Sequence, residues 1–327
     1  MAREAVAAAI RGAERITAIC HENPDADTLG AALAIAAAAG RLGIPAEVVA
    51  ADGVPPFLAG LPGAAAVRRR PGLEPGLAVV VDGPPSRTGA VARDCGPWLA
   101  EATIVNIDHH VSNDGAESAL AWVDPQAAAT CEMVAELMTD LDVVIGADIA
   151  TALAAGIVQD THTFAHPNAT PRTLRVMADL VEAGAPLSAL HRAIYADKPF
   201  TTMRLWGRML NDVDQRREGR VVYAIQTLAM LAETGSEPTA TEGFIDLLAG
   251  TRSGDVTVLF KEAGPTQVRV SVRTTDRADA VAITSAFGGG GHARAAGCTV
   301  DRPMAEAVPA VLDESERELE RADARGR

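Results

Sequence analysis

The chain has 327 residues and a formal net charge of -14 at pH 7, and its composition is 48% hydrophobic, 22% charged and 3% aromatic. These proportions are ordinary for a globular protein, and the length is sufficient for two domains. Proteins that hold long nucleic acids present basic stripes and stacking aromatic side chains, because phosphate neutralisation supplies most of their affinity. The composition therefore excludes an extended binding surface for a long nucleic acid, whereas it remains compatible with a site for a small phosphorylated ligand.

Targeting and redox features are absent from the sequence pattern. The amino-terminal region lacks a basic-then-apolar signal, and no apolar run reaches the roughly 20 residues that a membrane span needs. The four cysteines are scattered without a C-x-x-C pair, which argues against a zinc knuckle and a disulfide framework. We therefore expect a cytoplasmic protein.

Apolar runs alternate with helical segments through the first half of the chain. An amphipathic helix over residues 1–15 precedes a strand over 16–20, a helix that ends near Gly40 and a strand over 46–51. Near-continuous apolar runs over 77–81 and 103–107 are typical of strands buried on both faces of a parallel sheet. Further helices are predicted over 125–139, 146–158 and 170–183. This alternation predicts an α/β fold with a doubly wound, mostly parallel sheet.

The pattern changes between residues 190 and 219, where a helix over 201–210 leads into a polar connection. Strand-like runs then follow over 221–226, 255–260 and 267–273, before a short helix, a glycine run, a last strand and a charged tail. The tail over 314–327 is predicted as a solvated helix or a frayed end. We predict a first domain over residues 1–195, a helical linker over 196–219 and a smaller α+β domain over 220–327.

The loop after the first strand has the pattern H-x-x-x-D-x-D, formed by His21, Asp25 and Asp27. Imidazole and carboxylate groups are ligands that divalent cations accept. In an extended loop, Asp25 and Asp27 point the same way and could serve two adjacent metals. The alternative is a polar loop in which Asp27 or Thr28 caps the following helix, and one D-x-D alone favours that alternative.

Further acidic and histidine residues stand where other predicted elements end. Asp82 follows one apolar strand, Asp108-His109-His110 follows the next, and Asp160 ends a strongly apolar segment. Since ligands bind at the carboxyl ends of strands in open α/β sheets, we expect one shared site rather than separate helix caps. His162 and His166 are either extra ligands or residues that line the cleft or face solvent.

A second feature is the glycine run that ends in His292. Consecutive glycines expose backbone N–H groups and allow close approach of a ligand, although a flexible turn is the simpler interpretation. Arg273 on a neighbouring strand favours a phosphate or nucleotide pocket, and Arg252 is a weaker candidate for it. Arg87 could reach a phosphate or pair with a nearby carboxylate.

Together these motifs resemble the DHH phosphoesterase superfamily, in particular its two-domain branch of nanoRNases, pAp phosphatases and cyclic-dinucleotide phosphodiesterases. The resemblance covers residues 21–160 and, for the DHH-associated carboxyl-terminal domain, Arg273 and residues 287–297. Position 162 is one where many members carry glycine.

The resemblance implies a role for each matched residue. The first Mn²⁺ would be bound by His21 and Asp25, the second by Asp27, His109 and Asp160, and Asp82 would bridge both. Asp108 would fix a histidine tautomer behind the ligands, and His110 would stabilise charge on the substrate or protonate the leaving oxygen. The far end of the substrate would be held by Arg273, Gly289, Gly290, Gly291 and His292.

The implied activity is hydrolysis of phosphate esters by a hydroxide that two divalent ions activate. Mn²⁺ is the expected metal, with Mg²⁺ or Co²⁺ as alternatives. Expected substrates are short 5′-phosphorylated oligoribonucleotides (nanoRNA and pApA), pAp and cyclic di-AMP, and the resemblance implies a homodimer. The alternatives are another DHH activity, either a pyrophosphatase or a single-strand exonuclease, and a non-catalytic regulator that binds cyclic dinucleotides.

Overall fold

A computed structural model of the chain describes residues 2–325, apart from the side chain of His292. The chain forms two compact units, Met1–Asp197 and Lys198–Arg327. Among the described residues, no helix combines the length and the apolar character that crossing a membrane requires.

Five parallel strands form the sheet of the first unit, in the order β2-β1-β3-β4-β5. They are β1 (Ile16–Ile19), β2 (Ala46–Val49), β3 (Leu77–Val81), β4 (Thr103–Asp108) and β5 (Leu120–Val123). Every residue of β3 is buried, as expected for a strand covered on both faces. The predicted α/β fold with a parallel sheet is confirmed, although β5 was not predicted.

Helices cover both faces of this sheet. They are α1 (Ala2–Arg11), α2 (Ala26–Arg41), α3 (Ala90–Asp94), α4 (Gly96–Glu101), α5 (Thr130–Asp140), α6 (Ala147–Asp160), α7 (Pro171–Glu182) and α8 (Leu187–His191). The larger core lies on the face that packs against α1, α2, α5 and α6. A smaller core on the opposite face includes Val80, Val91 and Trp98.

Helices α2 and α6 pack unusually closely, which brings their functional ends together. A methyl group on Gly30 would lie 2.3 Å from the carbonyl oxygen of Ala152, and one on Gly156 would lie 2.8 Å from Cα of Asp27. Neither position therefore has room for a side chain. The start of α2, with Asp27, is thereby held against the last turn of α6, which ends at Asp160.

The second unit contains a mixed six-stranded sheet in the order β10-β11-β9-β8-β7-β6. Its strands are β6 (Asp214–Arg216), β7 (Val221–Gln226), β8 (Val256–Gly264), β9 (Gln267–Thr274), β10 (Gly290–His292) and β11 (Ala295–Val300). Only β7 and β8 pair in parallel among these strands. This sheet confirms the prediction of a second, α+β domain.

Helices pack on both faces of the second sheet as well. They are α9 (Phe200–Asn211), α10 (Leu228–Thr234), α11 (Phe244–Ala249), α12 (Ala280–Ser285) and α13 (Met304–Arg325). Val268, Val270 and Val272 lie in one core, and Leu259 lies in a separate core with residues of α9 to α11. Helix α9 thus belongs to the second unit, and the domain limits proposed from the sequence stay a prediction.

The expectation of a solvated or frayed tail is wrong for the described part of the tail. Helix α13 buries Leu312 and Leu319 completely in the core of the second unit. Its charged residues do not prevent this burial, because Glu318 pairs with Arg321 and Arg325 along the same helix. Residues 326–327 lie outside the described part of the chain.

Candidate functional site

The predicted site residues of the first unit gather at the carboxyl edge of its sheet. His21 follows β1, Asp82 follows β3 and Asp108 ends β4. With the strand order 2-1-3-4-5, the chain leaves β1 towards β2 on one side and continues from β3 towards β5 on the other. His21 and Asp82 therefore flank the point where the winding reverses, which is where open α/β sheets bind ligands.

His21, Asp25 and Asp82 form one group of closely spaced ligand atoms. Nε2 of His21 lies 3.3 Å from Oδ2 of Asp82 and 3.7 Å from Oδ1 of Asp25. The other ring nitrogen of His21, Nδ1, is 2.7 Å from the carbonyl oxygen of Glu22. That backbone contact places a proton on Nδ1 and leaves Nε2 as the coordinating atom.

Asp25 also caps helix α2, which revises the local interpretation of the loop. Its Oδ1 accepts hydrogen bonds from the backbone N–H groups of Asp27 and Thr28, at 3.0 and 3.1 Å. The cap is therefore Asp25, not Asp27 or Thr28 as the alternative interpretation supposed. Because the helix begins at Ala26, Asp27 lies in its first turn, and the loop is not extended through both carboxylates.

Asp27 is fully buried and belongs to a second group, with His109 and Asp160. Its two carboxylate oxygens accept hydrogen bonds from the backbone N–H groups of Thr130 and Cys131, at 2.6 and 2.8 Å. These residues open helix α5, whose amino-terminal N–H groups favour a negative charge. The second carboxylate of the D-x-D pattern is thus fixed in place by another helix.

His109 reaches three carboxylates through one atom. Its Nε2 lies 3.1 Å from Asp160, 3.5 Å from Asp82 and 4.0 Å from Asp27. Its Nδ1 is 3.3 Å from the carbonyl oxygen of Ala127. Nε2 is nevertheless buried without a well-formed hydrogen bond. A buried polar atom in this state is costly, and a cation between these groups would satisfy it.

Asp82 lies between the two groups. Its Oδ2 faces His21 and its Oδ1 faces His109, while the hydroxyl of Thr130 donates to Oδ1 at 3.1 Å. The backbone of Asp82 has a φ of 63°, a left-handed conformation that residues with a side chain seldom adopt. Strained positions of this kind cluster at functional sites, where the surroundings hold them in place.

Asp108 orients His110 rather than His109. Oδ1 of Asp108 accepts the backbone N–H of His110 at 3.0 Å and lies 2.7 Å from Nδ1 of the same histidine. Two residues that the sequence analysis missed complete this arrangement. Asn113 donates to Oδ2 of Asp108 at 2.6 Å and to Asn106 at 2.7 Å, and Asn106 donates to backbone oxygens at the end of β3.

The charges of the cluster perturb its titration strongly. Burial lowers the pKa of His21, yet its contacts with Asp25 and Asp82 outweigh burial and raise this pKa to about 10. Burial also opposes protonation of His109, whose contacts with Asp160 and Asp82 raise its pKa to about 12. Burial and then the Asp82 charge raise the pKa of Asp160 to about 6, although contact with His109 opposes them. The cluster therefore attracts positive charge, either as protons or as cations.

The donor set fits divalent cations. It offers the two imidazole nitrogens of His21 and His109 and the carboxylates of four aspartates, a mixture that suits Mn²⁺ and related metals. Within each group the ligand atoms lie within 4.8 Å of one another. The structure thus brings together all six residues predicted as metal ligands, and their individual roles stay predictions.

The loop after Asp160 and the loop of Arg87 lie beside this cluster. His162 and His166 stack on each other and belong to none of the groups of possible metal ligands among the described residues. Arg87 is exposed and forms no ion pair with a described residue, and its carbonyl oxygen accepts the N–H of Glu22 at 2.7 Å. Of the two interpretations of Arg87, pairing with a carboxylate is not observed.

The predicted substrate residues of the second unit lie on strand β9 and in the segment that leads into and forms β10. Arg273 is about one-third exposed and pairs with Asp246 at 2.9 Å. Strand β10 pairs Gly290 with Gly297, and Gly297 pairs with Ser271. The second half of the glycine run is therefore part of a strand, whereas Gly288 lies in a turn before it. Arg252 lies exposed in a turn.

The three glycines predicted to bind substrate, Gly289, Gly290 and Gly291, differ in the space around them. A methyl group on Gly289 would lie 2.3 Å from the carbonyl oxygen of Gly297, and one on Gly291 would lie 2.6 Å from that of Ala295. At Gly290 the same group would meet open space. Packing therefore explains Gly289 and Gly291, and only Gly290 presents backbone to a ligand. The side chain of His292, also predicted to bind substrate, lies outside the described part of the molecule.

Two family models match the chain. Residues 15–157 match the DHH family, N-terminal domain, and residues 220–321 match the DHHA1 domain.

Among known proteins, the chain is similar to the bifunctional oligoribonuclease and PAP phosphatase NrnA of Thermus thermophilus. The two are 33% identical over 309 residues, which cover 92% of this chain and 89% of that protein. The protein of the same name from Bacillus subtilis is 29% identical over 61% of this chain and 63% of its own length.

Among solved structures, an exopolyphosphatase-related protein from Bacteroides fragilis has the same fold, with a TM-score of 0.89 at 18% identity. The alignment covers 98% of this chain and 97% of that one. The chain therefore belongs to the DHH family of phosphoesterases, carries a DHHA1 domain, and is a hydrolase acting on phosphate esters.

Proposed function

We propose that the protein hydrolyses short 5′-phosphorylated oligoribonucleotides, including nanoRNA and pApA, together with pAp and cyclic di-AMP, and that it uses two Mn²⁺ ions. The observation that carries this proposal is Asp82, whose two carboxylate oxygens face the imidazoles of the two ligand groups. The activities named for the relatives from Thermus and Bacillus supply the substrate class.

His21 and Asp25 would hold one ion, Asp27, His109 and Asp160 the other, and Asp82 both. When bound, the ions would neutralise the phosphate charge and lower the pKa of a water molecule that attacks phosphorus. The protein holds these ligands in place beforehand, through the backbone contacts of His21 and His109 and the helix terminus that fixes Asp27. Such fixed contacts avoid rearrangement of the ligands during the reaction.

His110 would donate a proton to the oxygen that leaves. Its Nδ1 faces the Asp108 carboxylate at 2.7 Å, which orients the ring and leaves Nε2 for the substrate. The hydrogen bond to Asp108 raises the pKa of His110, while burial opposes the increase, so the ring is favoured in its protonated form. Asp108 in turn is held by Asn113.

The open face of the second unit would bind the far end of the substrate. Arg273 provides a guanidinium group on β9, which β11 separates from the glycine strand β10, and Gly290 leaves its backbone accessible to a phosphate or a base. The ion pair of Arg273 with Asp246 is partly exposed, so exchanging that carboxylate for a phosphate costs little.

A substrate panel tests the proposal directly. Purified protein with Mn²⁺ is expected to hydrolyse pApA and pAp, and Asp82→Asn is expected to abolish both activities. Inorganic pyrophosphate and long single-stranded RNA serve as controls for the alternative DHH activities. Absence of hydrolysis of pApA and pAp would overturn the proposal, and binding of cyclic di-AMP without turnover would instead indicate a regulator.

We also propose that the protein acts in the cytoplasm as a homodimer. Four free thiols suit a reducing compartment. Phe200, Met203 and Leu210 leave apolar side chains exposed along α9 at helical spacing, and Phe200 is 79% exposed. Light scattering is expected to give twice the chain mass, and Phe200→Asp to give a monomer, whereas a monomeric wild-type protein would contradict the dimer.

A further inference from the structure

The rings of Tyr195, His162 and His166 contact one another in series near Asp160, with the Tyr195 and His162 planes tilted by 52°, and we call this set the column. The His162 ring lies 4.4 Å from the Tyr195 ring and 5.2 Å from the His166 ring, with which it is nearly parallel at 20°. The ring of His191 lies on the Tyr195 side, 5.7 Å away. None of these rings belongs to a group of ligand atoms suited to a metal among the described residues. The column is therefore a separate feature beside the acidic cluster.

The backbone that carries this column has an unusual conformation. His162, Thr163 and Phe164 have φ angles of 48°, 53° and 66°, so three successive non-glycine residues are left-handed. Backbone hydrogen bonds of 3.0 Å from His162 to Gln159 and 2.8 Å from Thr163 to Val158 hold the turn. Glycine would adopt this conformation more easily at position 162, so the imidazole there is retained against a backbone preference.

One polar atom of each of Tyr195, His166 and His191 contacts a neighbouring group. The hydroxyl of Tyr195 donates to the carbonyl oxygen of Gln159 at 2.7 Å. Nδ1 of His166 lies 3.4 Å from the carbonyl oxygen of Asp160. Nδ1 of His191 lies 2.8 Å from the hydroxyl of Thr163. These contacts restrain the rings, and the exposed His166 keeps a ring face that a ligand could contact.

We propose that the exposed face of His166 is a stacking site for a nucleobase of the substrate. The inference rests on the proposed function and specifies part of the same site. His166 is exposed and ends the column, and Asp160, whose carbonyl oxygen it contacts, also faces His109 at 3.1 Å. In this proposal, the base stacked on His166 would belong to the nucleotide whose phosphate lies at the acidic cluster. Such stacking tolerates different bases, because every base has a π face.

Binding of two probes isolates the contribution of the base. AMP and ribose 5-phosphate carry the same phosphate, and only AMP carries a base. Calorimetry with full-length protein and Mn²⁺ is expected to show AMP binding about ten-fold more tightly than ribose 5-phosphate. His166→Ala is expected to reduce this ratio to about one by weakening only AMP, and His166→Phe to preserve it, because a phenyl ring also stacks.

The control is Leu174→Ala, which removes an exposed side chain of the same unit outside the column and should leave the ratio unchanged. An unchanged ratio in His166→Ala would overturn the inference, as would equal weakening of both probes. Thermal unfolding of each variant identifies a folding defect. If His166→Ala has one, the ratio measured with His166→Phe tests the inference instead, and a ratio near one in that variant would overturn it. Failure of pApA hydrolysis refutes the proposed function separately, because this test measures binding.

Discussion

The acidic cluster of the first unit and the open face of the second unit differ in how their groups are held. Asp27 is fully buried and Asp82 is 2% exposed, and backbone or side-chain donors fix both carboxylates. Arg273 is one-third exposed with a single carboxylate partner, and Gly290 borders open space. In the proposed function, chemistry would occupy the preorganised region, and recognition would occupy the region that can adapt to different ligands.

The largest effect is expected from Asp82→Asn. Asparagine keeps the size of the side chain and tolerates the left-handed backbone at φ 63°, so the change mainly removes a charged ligand. Groups that only orient metal ligands typically contribute about 10–100-fold, so loss of the shared ligand should lower kcat by more than about 100-fold. Steady-state kinetics measures the loss, with the exposed Asp276→Asn as the charge-matched control. Comparable activity of the two variants would contradict the assignment of catalysis to the acidic cluster.

A smaller loss, about 10–100-fold in kcat, is expected from Asp108→Asn. The hydrogen bond to Asp108 raises the pKa of His110, so its loss lowers that pKa. An acid that must be protonated then loses its proton at lower pH. The alkaline limb of the pH profile of kcat should therefore move to lower pH, and an unchanged limb would exclude His110 as the proton donor.

Arg273→Gln should affect binding and not chemistry. We expect KM for pApA to rise about ten-fold with kcat nearly unchanged, because in our proposal the guanidinium would bind a part of the substrate that is distant from the reacting phosphate. Arg302→Gln, which removes an equally positive, exposed group of the same unit, serves as the control. A fall in kcat at constant KM would show that the open face takes part in catalysis.

Two glycine substitutions compare the regions by stability. Gly156→Ala places a methyl group 2.6 Å from Oδ1 of Asp27 and 2.4 Å from Sγ of Cys131, so it should lower the free energy of unfolding by about 1–3 kcal/mol. Gly290→Ala meets open space and should change that free energy by less than about 0.5 kcal/mol. Urea denaturation measures both. Equal destabilisation would mean that the second region is packed as tightly as the first.

Much of the catalytic site could be predicted from the sequence because its residues stand where apolar runs end. Asp82 and Asp108 end the two most continuous strands, and parallel strands bring their carboxyl ends to one edge of the sheet. Thr130 carried no such signal, since its partner Asp82 is distant in sequence. Asn113 carried none because it lies in a polar loop, although its partners Asn106 and Asp108 are close in sequence. Asn106 offered a weak one, as a polar residue inside an apolar strand.

Other features required tertiary information. The dense charges of α13 concealed the spacing of Leu312 and Leu319, whose burial depends on the sheet they pack against. The four-residue strand β5 forms through pairing with β4 and not through strong local preference. Likewise, the sequence predicted that Gly289, Gly290 and Gly291 all bind substrate. Packing against β11 explains the absence of a side chain at Gly289 and Gly291.

The most direct test of the two-ion site is a Mn²⁺ titration of the metal-free protein followed by electron paramagnetic resonance. Two ions that share the Asp82 carboxylate should bind to each chain and give an exchange-coupled spectrum, because ions in two-metal sites lie about 3.5–4 Å apart. Asp82→Asn should lose the coupled signal. A wild-type protein that binds only one uncoupled ion, or a variant whose spectrum equals that of the wild type, would contradict the account.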